Sequence, residues 1–205
     1  MAICLHHDFH HVTLEQKNTY DEESMMLAVR QKAQILYWSS VPSPLGACIL
    51  LATEAGVCWV GTPGTAIDEG LFRTKRWLQI ERVVEGEVVA PLQQATDELR
   101  RYFAGERVQF TCELDLHGTP FQISVWQELC RIPYGETRSY GEIAHAIGRP
   151  SASRAVGAAN GANPVAIVVP CHRVIGSDGL LTGYGGGLPT KAWLLSLEGV
   201  AYKSS

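Results

Sequence analysis

Apolar β-branched segments at residues 45–52 and 56–61, separated by a short turn at Glu54-Ala55, predict a β-hairpin. Pro91 suits the first position of a helix, and Leu92, Ala95, Leu99, Tyr102 and Phe103 recur at helical spacing until Gly105 ends it. Val108, Phe110, Cys112 and Leu114 then alternate as one face of a strand. These segments predict an α/β unit over residues 40–117, a small sheet plus a helix, with no catalytic cluster of its own. Residues 1–39 read as an N-terminal extension, with an acidic run at Asp21-Glu22-Glu23 and a helix-compatible stretch at 24–36.

The pattern changes at His117-Gly118-Thr119-Pro120, a break that places a domain boundary there. Residues 118–205 predict a mostly helical domain. Phe121, Val125, Trp126 and Leu129 form the stripe of a first helix that ends before Pro133-Tyr134-Gly135. Ser139-Tyr140-Gly141-Glu142 has the capping-box pattern, and Ile143, Ala144 and Ile147 continue the helix to Gly148-Arg149-Pro150. A third helix over 151–160 is rich in small residues, with Arg154 its single charged side chain. Two short helices joined by a tight turn suggest a winged-helix-like helix-turn-helix, which suits either core packing or approach to a DNA backbone.

Charge changes this picture modestly. The net charge is −4, but residues 1–118 carry 10 basic against 16 acidic side chains while residues 119–205 carry 7 against 5, so the C-terminal part is the candidate polyanion face. A hydrophobic content of 46% is ordinary for a globular protein, and the absence of a long apolar run predicts an intracellular protein without a membrane partner. The cysteines lack zinc or disulfide spacing. His6, His7, His10, His11 and Cys4 form a terminal cluster read as a tail, and no metal is expected.

The sharpest chemistry lies at Pro170-Cys171-His172-Arg173, which follows the apolar run 165–169, read as a buried strand. A thiol attacks as thiolate, and an adjacent imidazole and guanidinium are expected to lower the pKa of Cys171. Such a cysteine is a candidate nucleophile.

Ser153-Arg154-Ala155-Val156-Gly157, Asn163-Pro164, Pro170-Cys171-His172-Arg173-Val174, Gly183-Tyr184, Gly186-Gly187-Leu188, Lys191, Leu194-Leu195 and Glu198-Gly199 occur in one order. This array resembles the O6-alkylguanine-DNA alkyltransferase family over roughly residues 40–205. The resemblance implies direct, stoichiometric and irreversible transfer of an alkyl group from O6-alkylguanine in double-stranded DNA to Cys171. It implies a monomer that approaches the minor groove, flips the base and needs no cofactor. By the same resemblance His172 takes the thiol proton through a water and Glu198 orients the imidazole. Tyr140 donates to the leaving guanine, and Asn163 ties the helix-turn-helix to the active-site loop by satisfying backbone groups in the turn before Pro164. Arg154 fills the vacated place in the stack, with Ala152, Ser153, Ala155 and Gly157 on the same DNA-facing helix. Pro170, Val174, Tyr184 and Gly185 belong to the base pocket, where carbonyls of Cys171 and Val174 read the guanine amino group. Many relatives carry serine where Gly185 stands, so a wider loop that admits larger alkyl groups is expected.

Three other functions fit less of the chain. A non-enzymatic damage sensor would not need Cys171. A cysteine hydrolase would leave Arg154 and Asn163 without roles, and a sequence-reading transcription factor would need more Arg, Asn and Gln on the recognition helix.

Overall fold

The computed structural model describes residues 33–203. Strands β1 (Gln34–Val41), β2 (Cys48–Ala52), β3 (Val57–Val60) and β4 (Ile80–Glu85) form a sheet in the order β3-β2-β1-β4. The predicted hairpin is β2 with β3, antiparallel, and β1 runs antiparallel to β2 and parallel to β4. β1 corrects the sequence reading, because it starts inside the residues assigned to the extension and turns the end of its helix-compatible stretch into strand. The cause is period-two burial: Leu36 packs with Leu51, Cys58 and Trp59 on one sheet face, while Tyr37 faces the main core on the other. The rest of the extension, with the acidic run and the His cluster, lies outside the described residues.

The β3–β4 connection carries α1 (Ile67–Thr74), which the hydrophobic pattern did not disclose. It covers one face of the sheet, and Gly70 lets the Trp59 ring lie against it, since a Cβ there would stand 2.6 Å from a ring carbon. Helix α2 (Ala90–Phe103) covers the other face, with proline in its first turn as predicted.

The strand predicted at 108–114 does not form. Val108 and Cys112 are buried, but Thr111 and Cys112 donate their backbone N–H groups to the carboxylate of Glu98 on α2 (3.1 and 3.3 Å) rather than to a strand. Pairing is confined to a bridge between Leu114 and Val57. A side-chain carboxylate that caps two amides replaces a ladder there.

Beyond Gly118 come α3 (Pro120–Leu129), α4 (Tyr140–Ala146), α5 (Ser153–Gly161), a 3₁₀ turn (Cys171–Arg173) and α6 (Gly187–Leu197), with β5 (Arg138–Ser139) parallel to β6 (Val174–Ile175). Thr119 and Ser139 make complete capping boxes with Gln122 and Glu142. The run 165–169 is buried as expected, yet it is a tight turn, not a strand. Val168 N donates to Ala166 O (2.8 Å) and Ile167 sits at φ 72°, a strained position for a β-branched residue. Pro164 O accepts from Val60 N (2.9 Å) and Ala166 N donates to Val60 O (3.0 Å), tying the turn to the end of β3.

One hydrophobic core crosses the predicted boundary at 117/118. Leu50, Leu99 and Tyr102 join Trp126, Val156, Ile167 and Leu194 in it. Trp126 Nε1 also donates to Ala159 O (2.8 Å), locking α3 to α5. Among the described residues no helix is long and apolar enough to cross a membrane.

Candidate active site

Glu198 closes α6, where Gly199 at φ 72° turns the chain back and leaves the carboxylate pointing inward. His172 Nε2 lies 2.7 Å from its Oε1, and both side chains are buried. Arg173, one residue on, donates Nε to Oε2 (2.9 Å) and an Nη to Oε1 (3.0 Å), a bidentate pair. Its other Nη donates to Ile132 O (2.7 Å). Tyr102 Oη from α2 donates to Oε1 (2.8 Å), and Gly135 N to Oε2 (3.2 Å). Burial alone would raise the Glu198 pKa, but the hydrogen bonds and charges of His172 and Arg173 outweigh it and hold the group down to about 2.

For His172 the balance goes the other way. Burial lowers its pKa below the ordinary value, helped by the charges of Arg173 and Lys191 and opposed by Glu198. Its Nδ1 is buried and has no hydrogen-bond partner, so no direct hydrogen bond joins it to the Cys171 thiol.

Cys171 is 5% exposed, and here the expected lowering of its pKa is corrected. Burial pushes the thiol up, because a thiolate loses solvation there. What favours the thiolate is the Asn163 side chain, the Lys191 ammonium and local backbone N–H groups. Arg173, expected to help, is turned away onto Glu198.

Asn163 Nδ2 donates to Val169 O (2.9 Å) and, more weakly, to Val165 O (3.4 Å), while its Oδ1 accepts from Val165 N (3.0 Å). The groups it satisfies therefore lie after Pro164, not before it. They span the turn that carries Ile167 and leads to Cys171.

Tyr140 and Arg154 meet at a cleft of about 460 Å³ between α4, α5 and the loop after β6, lined also by Ser153, Gly157, Gly176 and Thr182. Arg154, Ser153 and Ala155 are exposed, and Ala152 and Gly157 half-buried. Tyr140 Oη accepts from Thr182 Oγ1 (3.0 Å), which leaves its own hydrogen free to donate elsewhere. Tyr184 is half-buried but its hydroxyl is enclosed without a partner, and burial first, then the nearby Cys171, raises its pKa. Gly185 is exposed, and a Cβ there would meet nothing within 4 Å, so a serine would fit without strain. Two assigned pocket groups are placed elsewhere. Pro170 lines a separate cleft of about 720 Å³ with Arg107, Tyr134 and Arg173, and Val174 O accepts from Lys191 Nζ (2.6 Å) rather than facing open space.

Several residues at the site were given no role by the sequence, although Lys191 stood in its motif array. Tyr102, assigned only as a helix-face core residue, reaches Glu198 from the N-terminal unit. Lys191 is fully buried, bridges Val174 O and Thr182 O, and is lowered to about 8 by burial. Asn160 Nδ2 lies 3.4 Å from Cys171 O. A polar residue at a position whose helical period is otherwise buried was the available signal for each. Among the described residues no cluster of His, Cys, Asp and Glu could hold a metal ion.

Comparison with known proteins decides the family. Residues 36–116 match the 6-O-methylguanine DNA methyltransferase, ribonuclease-like domain, and residues 120–200 match the DNA binding domain of the same enzymes. The chain belongs to the O6-alkylguanine-DNA alkyltransferase family. Its two-part architecture, a small-sheet unit followed by a helical unit, is that of the family. A Mycolicibacterium paratuberculosis protein named methylated-DNA--protein-cysteine methyltransferase is 50% identical over 165 residues, 80% of this chain and 93% of that one. A Mycobacterium tuberculosis relative of the same name is 66% identical over 104 residues, 51% of this chain, and the match spans 63% of that protein's length. The crystal structure of Mycobacterium tuberculosis O6-methylguanine methyltransferase is similar at a TM-score of 0.66 and 46% identity, covering 80% of this chain and 92% of that one. The mycobacterial enzyme in complex with DNA matches equally well.

Proposed function

We propose that this alkyltransferase repairs DNA directly, moving an alkyl group from O6 of guanine in a duplex to Cys171 Sγ. The observation that carries the reading is the buried Cys171, His172 and Glu198 constellation, in a chain that also opens a cleft between Tyr140 and the exposed Arg154 helix.

Burial keeps the thiol protonated at rest, so attack needs a base at the moment of reaction. A water between His172 Nδ1 and Sγ satisfies the unpartnered nitrogen and carries the thiol proton to the imidazole. Glu198, ionised and anchored by Arg173, holds the ring and stabilises the imidazolium. The Sγ–C bond forms as the C–O6 bond breaks, and the electron pair stays on the guanine. Tyr140, whose hydroxyl accepts from Thr182, donates a hydrogen bond toward the developing charge; the proton taken up by His172 is balanced by one that the guanine ring nitrogen gains through solvent, and the restored base leaves. No cofactor is needed, since the thioether is the end product and each molecule reacts once.

The target atom is inside a base stack, so the nucleotide must leave the duplex first. The exposed face of α5, with Ala152, Ser153, Arg154, Ala155 and Gly157, suits a minor-groove approach, and Arg154 is the side chain long enough to fill the gap. Asn163 holds the thiol-bearing loop to this helix. Tyr184 and Gly185 face the base, and the open space at Gly185 favours alkyl groups larger than methyl. Val174 and Pro170 shape the loop from behind. The protein acts as a monomer, inside the cell where the DNA is.

Intact-protein mass after incubation with a duplex containing one O6-methylguanine tests this, with Cys171→Ser in parallel. One methyl mass is expected per wild-type molecule, never more, and none in the variant. Tight binding without mass gain would make the protein a damage sensor instead.

A further inference from the structure

The N-terminal unit reads as a scaffold without chemistry, yet one of its side chains touches the proton relay. Tyr102 is fully buried, and its hydroxyl donates to Glu198 Oε1 (2.8 Å), the same oxygen that faces His172 Nε2 (2.7 Å) and accepts from Arg173 (3.0 Å). Its ring is fixed edge-on or tilted between Phe103, Phe110 and Tyr134, with centroids 5.6, 5.6 and 6.2 Å away. Such packing aims the hydroxyl and leaves it no other partner.

We infer that Tyr102 is a positioning residue for the transfer proposed above: its hydrogen bond draws negative charge on Glu198 Oε1 away from His172 and so sets how basic the imidazole is. A carboxylate oxygen shared among three donors gives each of them less. With the Tyr102 hydrogen removed, Oε1 turns its charge more fully to the His172 N–H, and the imidazolium is better stabilised. The other groups that face this pair stay in place. Arg173 and Cys171 lie on the same turn, Lys191 on α6, and Tyr134, with Arg107 over its ring, on the loop after α3.

Because His172 must be neutral to take the thiol proton, a more basic His172 moves the acid limb of the reaction to higher pH. Tyr102→Phe keeps the ring and removes only the hydroxyl. We expect it to shift that limb upward by about half a pH unit, a loss of roughly threefold in rate on the acid side. Two readouts are taken across pH: single-turnover methyl transfer from a saturating O6-methylguanine duplex, and carbamidomethylation of Cys171 by iodoacetamide, followed by peptide mass. Phe110→Leu, which disturbs the same packing without touching a hydrogen bond, serves as the control and is expected to leave both limbs where they are. Superimposed wild-type and Tyr102→Phe limbs overturn the inference whatever the melting temperature does, as does an equal shift in Phe110→Leu. A shift between wild type and Tyr102→Phe seen with iodoacetamide, when the wild type takes no methyl group from DNA, would uphold the inference and defeat the proposed function.

Discussion

Glu198 accepts from His172, Arg173, Tyr102 and Gly135, and a single buried acid with that many partners makes the protein sensitive to acid. Its folded-state value of about 2 lies below the ordinary 4.5. A depressed carboxylate contributes stability that is complete above about pH 4.5 and is lost as the pH falls toward 2. His172 acts in the same direction at higher pH: held below its ordinary 6.5 by burial, it costs stability as the medium falls through 6.5 and the unfolded imidazole binds a proton first. Chemical denaturation across pH should therefore show a decline that begins near neutrality and steepens below about pH 4.5. Glu198→Gln should remove the lower part and destabilise the protein by ~3 kcal/mol at neutral pH, because it leaves the Arg173 charge buried without its counter-ion. Equal midpoints for wild type and variant at pH 7 would contradict this. At this scale the sequence displayed the candidate nucleophile Cys171, the imidazole and the acid. It did not display which way Arg173 points, because adjacency in the chain says nothing of side-chain direction on a 3₁₀ turn.

At the scale of elements, local signals and long-range partners divide cleanly. The capping box at Ser139 was legible because all its atoms lie within four residues, and the one at Thr119, hidden in what read as a break, is equally local. Ser139→Ala removes the acceptor for Glu142 N and the hydroxyl donor to the Glu142 carboxylate, leaving that carboxylate only the backbone N–H of residue 139. A loss of ~1 kcal/mol in urea denaturation is expected. Residues 107–115 show the opposite case. Their alternation reports correctly which side chains are buried, but the amide partners come from Glu98 rather than from a neighbouring strand. Glu98→Ala should cost ~2 kcal/mol by orphaning the Thr111 and Cys112 amides, whereas a true strand at this place would be indifferent to it. α1 escaped the pattern because it is short and its exposed face carries Phe72, which blurs the period.

For the whole molecule, the small-sheet unit and the helical unit share one continuous core. Cys171 belongs to that core and is 5% exposed, so a methyl group added to Sγ is expected to displace packed neighbours. Complete alkylation should lower the melting temperature by several degrees, given a cost of ~1–3 kcal/mol and a chain of this size. An unchanged melting temperature in calorimetry would mean that the space already exists. Binding to an undamaged duplex should be weak and sequence-tolerant, and a roughly fourfold rise in salt should reduce affinity several-fold, since the exposed α5 face offers one cation, Arg154, among small side chains and so is expected to meet phosphate rather than base edges. A salt-independent affinity measured by fluorescence anisotropy would point to base contacts instead.

The sequence alone determined the order of the motifs, the caps, the hairpin, the helical stripes and the residue types of the reactive turn, because each depends on neighbours a few positions away. Tertiary structure decided the rest. It joined β1 to the sheet, turned the run 165–169 into a strained turn clamped by Asn163, and raised the Cys171 pKa by burial where adjacency suggested lowering. It also brought Tyr102 to within 2.8 Å of Glu198, across 96 positions of chain. Burial and charge pairing are properties of what the whole chain packs around a group, and no local pattern records them.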